Sequence, residues 1–124
     1  MNSSLLPNRV PVLMYHRVGE PHDAADRSCC VRPATFRAQM AALAAAGYRA
    51  TSADDLVRWC DGEALEGGAR PFVLTFDDGF SGVHDHALPV LRKLGWPATV
   101  FLVAEQIGGE DRWALTKYPD RAVS

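Results

Sequence analysis

The stretch PFVLTFDDG, residues 71–79, decides the fold class of this 124-residue chain. An apolar run of about six residues that ends in two carboxylates and a glycine predicts a buried strand followed by a tight turn. Continuous apolar strands, in contrast to alternating ones, are typical of parallel sheets that are buried on both faces. Such sheets place their chemistry at the carboxyl ends of their strands. Asp77 and Asp78 are therefore the first candidate functional residues.

Three other apolar segments are predicted to be strands of the same sheet. They are Val10–Tyr15, Tyr48–Thr51 and Ala98–Val103, and the last is rich in β-branched and aromatic residues. Helical patterns separate all four, which gives the order β-α-β-α-β-α-β. Strands that alternate with helices predict the α/β class, with a parallel sheet under helical cover.

The predicted helices begin and end at recognisable residues. Pro33 suits the first turn of a helix that Gly47 ends. Ser52, with Asp55 three residues later, resembles a capping box in which Asp replaces the usual Glu, and opens a short second helix. Residues 20–30 are polar, which predicts a loop.

The third helix follows the acidic turn. Pro89 is tolerated only in a first helical turn, so this helix is predicted to start near Asp85 or His86 and to end at Gly95.

Composition excludes several classes of protein. The chain has 13 Lys plus Arg and 15 Asp plus Glu, so its net charge of −2 provides no electrostatic footprint for nucleic acid or an anionic membrane. No run of about 18 apolar residues is present, so no membrane span is predicted. The three cysteines are odd in number, and Cys29 and Cys30 are adjacent, which excludes a disulfide framework. The first nine residues contain no signal-peptide core, so the expected location of the chain as written is the cytoplasm.

The adjacent carboxylates of Asp77 and Asp78 suggest metal chemistry. Without a cation the two would repel and one pKa would rise, whereas a divalent ion lets both stay ionised. One could then bind the ion while the other acts as a base toward a metal-bound water. The alternative is an ordinary Asp-Asp-Gly surface turn. His16, at the end of the first strand, is a candidate ligand or a neutral partner of the acidic pair; the alternative is a structural histidine.

The remaining histidines and the tryptophans indicate ordinary structural roles. His84 and His86 are two residues apart and share no helix face, so solvated or capping roles are predicted for them and for His22. Core or rim positions, rather than a sugar-stacking platform, are predicted for Trp59, Trp96 and Trp113.

Four segments together resemble the polysaccharide deacetylase family, the NodB-homology domain of the carbohydrate esterases. They are residues 12–18 (VLMYHRV), 75–80 (TFDDGF), 87–91 (ALPVL) and 95–103 (GWPATVFLV). The resemblance runs from about residue 10 to residue 109, so residues 1–124 are expected to form a single partial domain of this kind. It implies a distorted (β/α) barrel and metal-dependent removal of N- or O-acetyl groups from a carbohydrate polymer. Family members are often exported or associated with the cell envelope.

The resemblance also implies roles for single residues. The first Asp of the TFDDG motif, here Asp77, is the catalytic base, and the second, Asp78, is a ligand of a divalent metal, usually zinc. The histidine of the LMYH segment, His16, lies near the active site in the branch that acts on polymers like poly-N-acetylglucosamine.

The sequence departs from the family pattern after the fourth strand. No His-x-x-x-His pair follows Val103, and the last histidine in the chain is His86. The Arg-Pro-Tyr and Leu-x-His motifs of the family are also absent. A catalytic zinc normally has three protein ligands, so one carboxylate does not hold it. The expectation is therefore the N-terminal half of a barrel whose C-terminal half is missing, and which is inactive alone.

Two other functions are alternatives to this one. A non-catalytic remnant could bind glycan or a complementing fragment. Phosphoryl transfer on a doubly wound sheet would need a phosphoacceptor Asp at another strand end, and the sequence has none.

Overall fold

The computed structural model describes residues 9–65, 70–104 and 107–108. It contains the strands β1 (Val12–Tyr15), β2 (Arg17–Val18), β3 (Cys30–Val31), β4 (Tyr48–Thr51), β5 (Arg70–Asp78) and β6 (Thr99–Leu102). The helices are α1 (Pro33–Ala45), α2 (Ala53–Cys60) and α3 (Leu88–Leu94). A 3₁₀ turn covers Asp26–Ser28, and a π-helical segment, Val83–Ala87, leads directly into α3.

The main sheet is built around β5, which pairs in parallel with β1, β4 and β6. Its first half pairs with β4 and its second half with β6, while β1 lies along the other edge. β2 and β3 form a separate two-stranded parallel sheet. The predicted α/β class with a parallel sheet is confirmed.

The hydrophobic core lies on one face of this sheet, which we call the covered face. Helix α1 contributes Phe36 and Met40, and both side chains are fully buried. Alternate residues of β5 meet them because successive side chains of a strand point to opposite faces. The core cluster comprises Val18, Phe36, Met40, Ala50, Phe72, Leu74, Phe76, Ala87 and Leu91.

The opposite face, which we call the open face, is formed by Val12, Met14, Thr75, Asp77 and Phe101, as the strand register requires. The exposed fractions of Val12, Met14 and Phe101 are 52%, 62% and 57%. The prediction that the apolar strands are buried on both faces is therefore wrong for β1 and β6. It is right for β5 from Phe72 to Phe76, where every residue is buried, including those whose side chains belong to the open face.

The helix boundaries follow the predicted signals. α1 begins at Pro33, and Gly47, with a φ of 84°, follows its end. The Ser52 hydroxyl accepts a hydrogen bond from the Asp55 backbone N–H at 3.1 Å and so caps α2.

Two predictions about local structure were wrong. Residues 20–30 are not simply a loop, because they include the 3₁₀ turn and the start of β3. The third helical stretch also starts before Asp85. Pro89 does lie in the first turn of α3, but the π-helical segment precedes it, a form of backbone that can accommodate the missing proline N–H.

Two general expectations can be compared with the described residues. No helix among them is long and apolar enough to cross a membrane. Cys29, Cys30 and Cys60 are all free, so these residues form no disulfide framework.

Candidate active site

The two carboxylates lie at the carboxyl end of β5, the strand that pairs with β1, β4 and β6. Asp77 is in register with Phe101 of β6. Thr75, the first residue of the motif, donates its hydroxyl hydrogen to the Leu13 carbonyl of β1 at 2.9 Å. The motif is thus fastened on both edges immediately before the acidic pair, which fixes where the carboxylates emerge.

Asp77 and Asp78 leave the strand differently. Asp77 continues the alternation of Thr75 and belongs to the open face. Asp78 has a φ of 75°, and Gly79, at 70°, continues the left-handed backbone. Asp tolerates this conformation better than most residues with a side chain, and glycine adopts it freely. The turn therefore separates the two carboxylates.

His16 and Asp78 are in contact. The His16 Nδ1 lies 3.1 Å from the Asp78 Oδ2, and about a third of each side chain is exposed. An ionised carboxylate only accepts hydrogen bonds, so Nδ1 must hold the hydrogen in this contact. In the neutral ring this leaves Nε2 as the acceptor. The histidine at the end of β1 is therefore brought to the second aspartate.

Asp77 differs from Asp78 in its surroundings. Within the described part of the chain, its carboxylate has no hydrogen-bond or ion-pair partner, and the side chain is partly exposed. A carboxylate in this state is available to take a proton from a group that approaches the open face. The geometry thus presents one engaged carboxylate and one available carboxylate.

The donors in this site fit only part of a metal centre. Among the residues that the structure describes, no group of three His, Cys, Asp or Glu side chains could hold a metal ion. The Asp78 carboxylate is a suitable ligand, with His16 beside it, but a catalytic zinc normally takes three protein ligands. The described residues therefore do not complete a zinc site.

Sequence reasoning missed a buried ion pair beside this site. The Arg17 Nη1 donates a hydrogen bond to the Asp26 Oδ2 at 2.7 Å, and the exposed fractions of the two side chains are only 16% and 3%. The available signal was a charged residue inside the otherwise apolar segment VLMYHRV.

Among the described residues, the other candidates form no hydrogen bond or ion pair with Asp77 or Asp78. His84 is 77% exposed and pairs with Asp85, and His86 is exposed as well, which agrees with solvated roles. Trp96 packs against the core. Trp113 lies outside the described residues.

The sequence of this chain matches the model of a protein family. The family is described as polysaccharide deacetylase, and the matched residues are 65–121.

Two curated relatives cover most of this chain. YxkH of Bacillus subtilis (strain 168), whose name assigns it to the polysaccharide deacetylases, is 32% identical over 104 residues. The match covers 82% of this chain and 34% of YxkH. The poly-beta-1,6-N-acetyl-D-glucosamine N-deacetylase of Escherichia coli (strain K12) is 33% identical over 95 residues, which covers 73% of this chain and 13% of the relative. The chain thus spans about a third or less of the curated relatives that it matches.

Among solved structures, IcaB from Ammonifex degensii superposes with a TM-score of 0.72 at 29% identity. The superposition covers 86% of this chain and 43% of IcaB. The chain therefore has the fold of one part of a (β/α) deacetylase barrel.

Proposed function

We propose that this chain, which belongs to the polysaccharide deacetylase family, supplies the base and one metal ligand of a site that hydrolyses acetyl groups from N-acetylated polysaccharide. The observation that supports this most strongly is the arrangement of the two carboxylates at the end of β5. Asp78 is engaged by His16, while Asp77 is available on the open face.

Asp77 is proposed as the general base. Its partly exposed carboxylate, with no partner among the described residues, is free to accept the proton of a water that attacks the acetyl carbonyl. The proton then has to reach the leaving amine. Asp77 lies at the carboxyl end of β5 on the open face with a partly exposed side chain, which gives a polymer access to it.

Asp78 is proposed as one ligand of a divalent metal ion, with zinc as the first candidate. When bound, such an ion lowers the pKa of its water and polarises a carbonyl. His16 orients the Asp78 carboxylate through their 3.1 Å contact. The remaining ligands would come from outside the described residues.

A β-1,6-linked polymer of N-acetylglucosamine is the proposed first substrate to test. The reason is that the Escherichia coli relative named for this substrate is 33% identical to this chain over 95 residues. An O-acetylated polymer is the second substrate to test.

The proposed base can be tested in a chimera. Residues 12–104 of this chain would replace the structurally equivalent part of IcaB from Ammonifex degensii, with which they share their fold. We expect acetate release from N-acetylglucosamine oligomers in the presence of zinc, and a loss of about 100-fold or more on Asp77→Asn, as is typical when general catalysis is removed. Asp85→Asn, which changes an exposed acid in the helical stretch, is the matched control and should retain activity.

Zinc binding by the chimera and its variants distinguishes the proposed roles of Asp77 and Asp78. Asp77→Asn should leave zinc binding intact, whereas Asp78→Asn should weaken it. A folded chimera that stays active as Asp77→Asn would contradict the assignment of the base.

The second candidate function is non-catalytic, and the exposed apolar side chains of the open face favour it. In that case the chain binds glycan or a complementing β/α fragment without chemistry. The 124-residue chain alone should then release no acetate with any divalent metal. Acetate release by the chain with zinc alone would refute this candidate, and it would also refute the need for further ligands.

A further inference from the structure

His16 lies between two strands that differ in how extensively they are paired. β1 precedes it and is fastened to β5 over four residue pairs. β2 follows it and has only two residues, which pair with the equally short β3. The Arg17 N–H donates to the Cys29 carbonyl at 3.0 Å, and the Gly19 N–H donates to the Val31 carbonyl at 2.9 Å. A two-stranded pair of this length is not stable by its backbone hydrogen bonds alone, so side chains must hold it in place.

The Arg17 side chain is one such anchor. Its Nη1 donates to the Asp26 Oδ2 at 2.7 Å, in a pair that is almost entirely removed from solvent. The same Asp26 oxygen accepts the backbone N–H of His22 at 2.8 Å. Asp26 therefore ties Arg17 to the segment that leads into β3, and charge-assisted hydrogen bonds of this kind are among the stronger ones.

Arg17 also reaches the chain that follows the acidic turn. Its guanidinium carbon lies 5.9 Å from the centre of the Phe80 ring, in a cation–π arrangement. Close by, Gly82 packs directly against the backbone of β2. A Cβ at Gly82 would lie 2.0 Å from the Val18 carbonyl oxygen. β2 therefore contacts the residues that immediately follow Asp78 and Gly79.

We propose that Arg17 is a positioning residue, which acts through its pair with Asp26 and its contact with Phe80 to hold the His16 ring against Asp78. Arg17 itself is largely buried and engaged, so it acts through His16 rather than on a substrate. Any catalytic role of His16 at this position rests on the proposed deacetylase function. The positioning of His16 by Arg17 does not.

The same region offers a matched control. Arg32 donates from Nε to the Glu20 Oε2 at 2.9 Å, so it too forms an ion pair next to the segment between β2 and α1. The side chains of Arg32 and Glu20 are 53% and 74% exposed. Because exposed pairs contribute little, Arg32→Gln removes a similar contact without disturbing β2.

The test is the tautomer of His16, read from the ¹⁵N chemical shifts of its ring in the 124-residue chain. The measurement is made with EDTA at one fixed, mildly alkaline pH for all variants. In the unmodified chain we expect the Nδ1–H form that the contact with Asp78 requires. In Arg17→Met and Asp26→Asn we expect the shifts to move to the mixture of tautomers seen for a free histidine, while Arg32→Gln keeps the original shifts.

Removing one partner of a buried pair can unfold a protein, so a second variant keeps the test decisive. Arg17→Met combined with Asp26→Leu removes both charges and leaves none unpaired. We expect this double variant to fold and still to release His16. Unchanged His16 shifts in folded variants would overturn the proposal. A released His16 would support it even if the chimera showed no acetate release, because the readout does not depend on activity.

Discussion

The two faces of the sheet are made from the same strands but differ in how far their side chains are buried. The covered face holds the buried aromatic side chains, with the rings of Tyr15, Phe36 and Phe76 centred 5.2–5.9 Å apart. The open face has Asp77 at its carboxyl end and three apolar side chains that are more than half exposed. The stability of the described fold therefore comes mainly from one face, and the candidate base lies on the other. Substitutions on the two faces should have separable effects.

The largest expected difference is between a core aromatic and an exposed apolar residue. Phe36→Ala leaves a cavity under the sheet and should lower the free energy of unfolding by about 3–5 kcal/mol. Met14→Ala, on the open face, should lower it by less than about 1 kcal/mol, because the side chain is 62% exposed. Urea unfolding followed by circular dichroism measures both. Equal losses would mean that the open face is covered in solution.

A smaller effect should come from the hydroxyl that fastens the motif to β1. Thr75→Val keeps the shape of this buried residue but removes the hydrogen bond to the Leu13 carbonyl, at an expected loss of about 1 kcal/mol. Thr99→Val is the control, since Thr99 is the register partner of Thr75 on the same face. Within the described residues its hydroxyl has no hydrogen-bond partner, so the same unfolding measurement should show little change.

The smallest effect should appear only at alkaline pH. Burial on the covered face raises the pKa of Tyr15 above its ordinary value of 10.0. The folded chain therefore keeps the phenol proton at a pH where the unfolded chain has begun to lose it, so this contribution to stability is present below about pH 10 and is lost as the pH rises further.

Tyr15→Phe should remove that alkaline decline. Near neutral pH it should lower the free energy of unfolding by about 0.5–1 kcal/mol, through loss of the 2.6 Å hydrogen bond to Gln39. Unfolding free energies between pH 7 and pH 11 check this, and parallel curves above pH 10 would contradict it.

Local signals predicted most of the helices and strands. The bounds of β4 and the start of α1 at Pro33 were predicted correctly, because a proline, a glycine or a capping side chain acts on its immediate neighbours. The cap of α2 by Ser52 follows the same logic. These residues need no information from distant parts of the chain.

Other features could not be predicted because they depend on residues far apart in sequence. The strands β2 and β3 are too short to have a periodic pattern, and only the fold brings Arg17 to Asp26 and Phe80. The contact of His16 with Asp78 joins residues 62 positions apart. The sequence also did not predict which strands are buried on both faces. An apolar run has the same pattern whether or not another element packs on its second face. The roles of Asp77, Asp78 and His16 stay predictions.

The left-handed backbone at Asp78 has a consequence for the engineering of this protein. A residue with a side chain at a φ of 75° stores strain, of order 1–3 kcal/mol for unfavourable backbone regions in general. Glycine would relieve this strain, so Asp78→Gly should be tolerated or even stabilising while it deletes the carboxylate that faces His16. A library selected for thermostability alone would then enrich a change that removes the proposed metal ligand, so stability and the proposed activity would conflict at one residue.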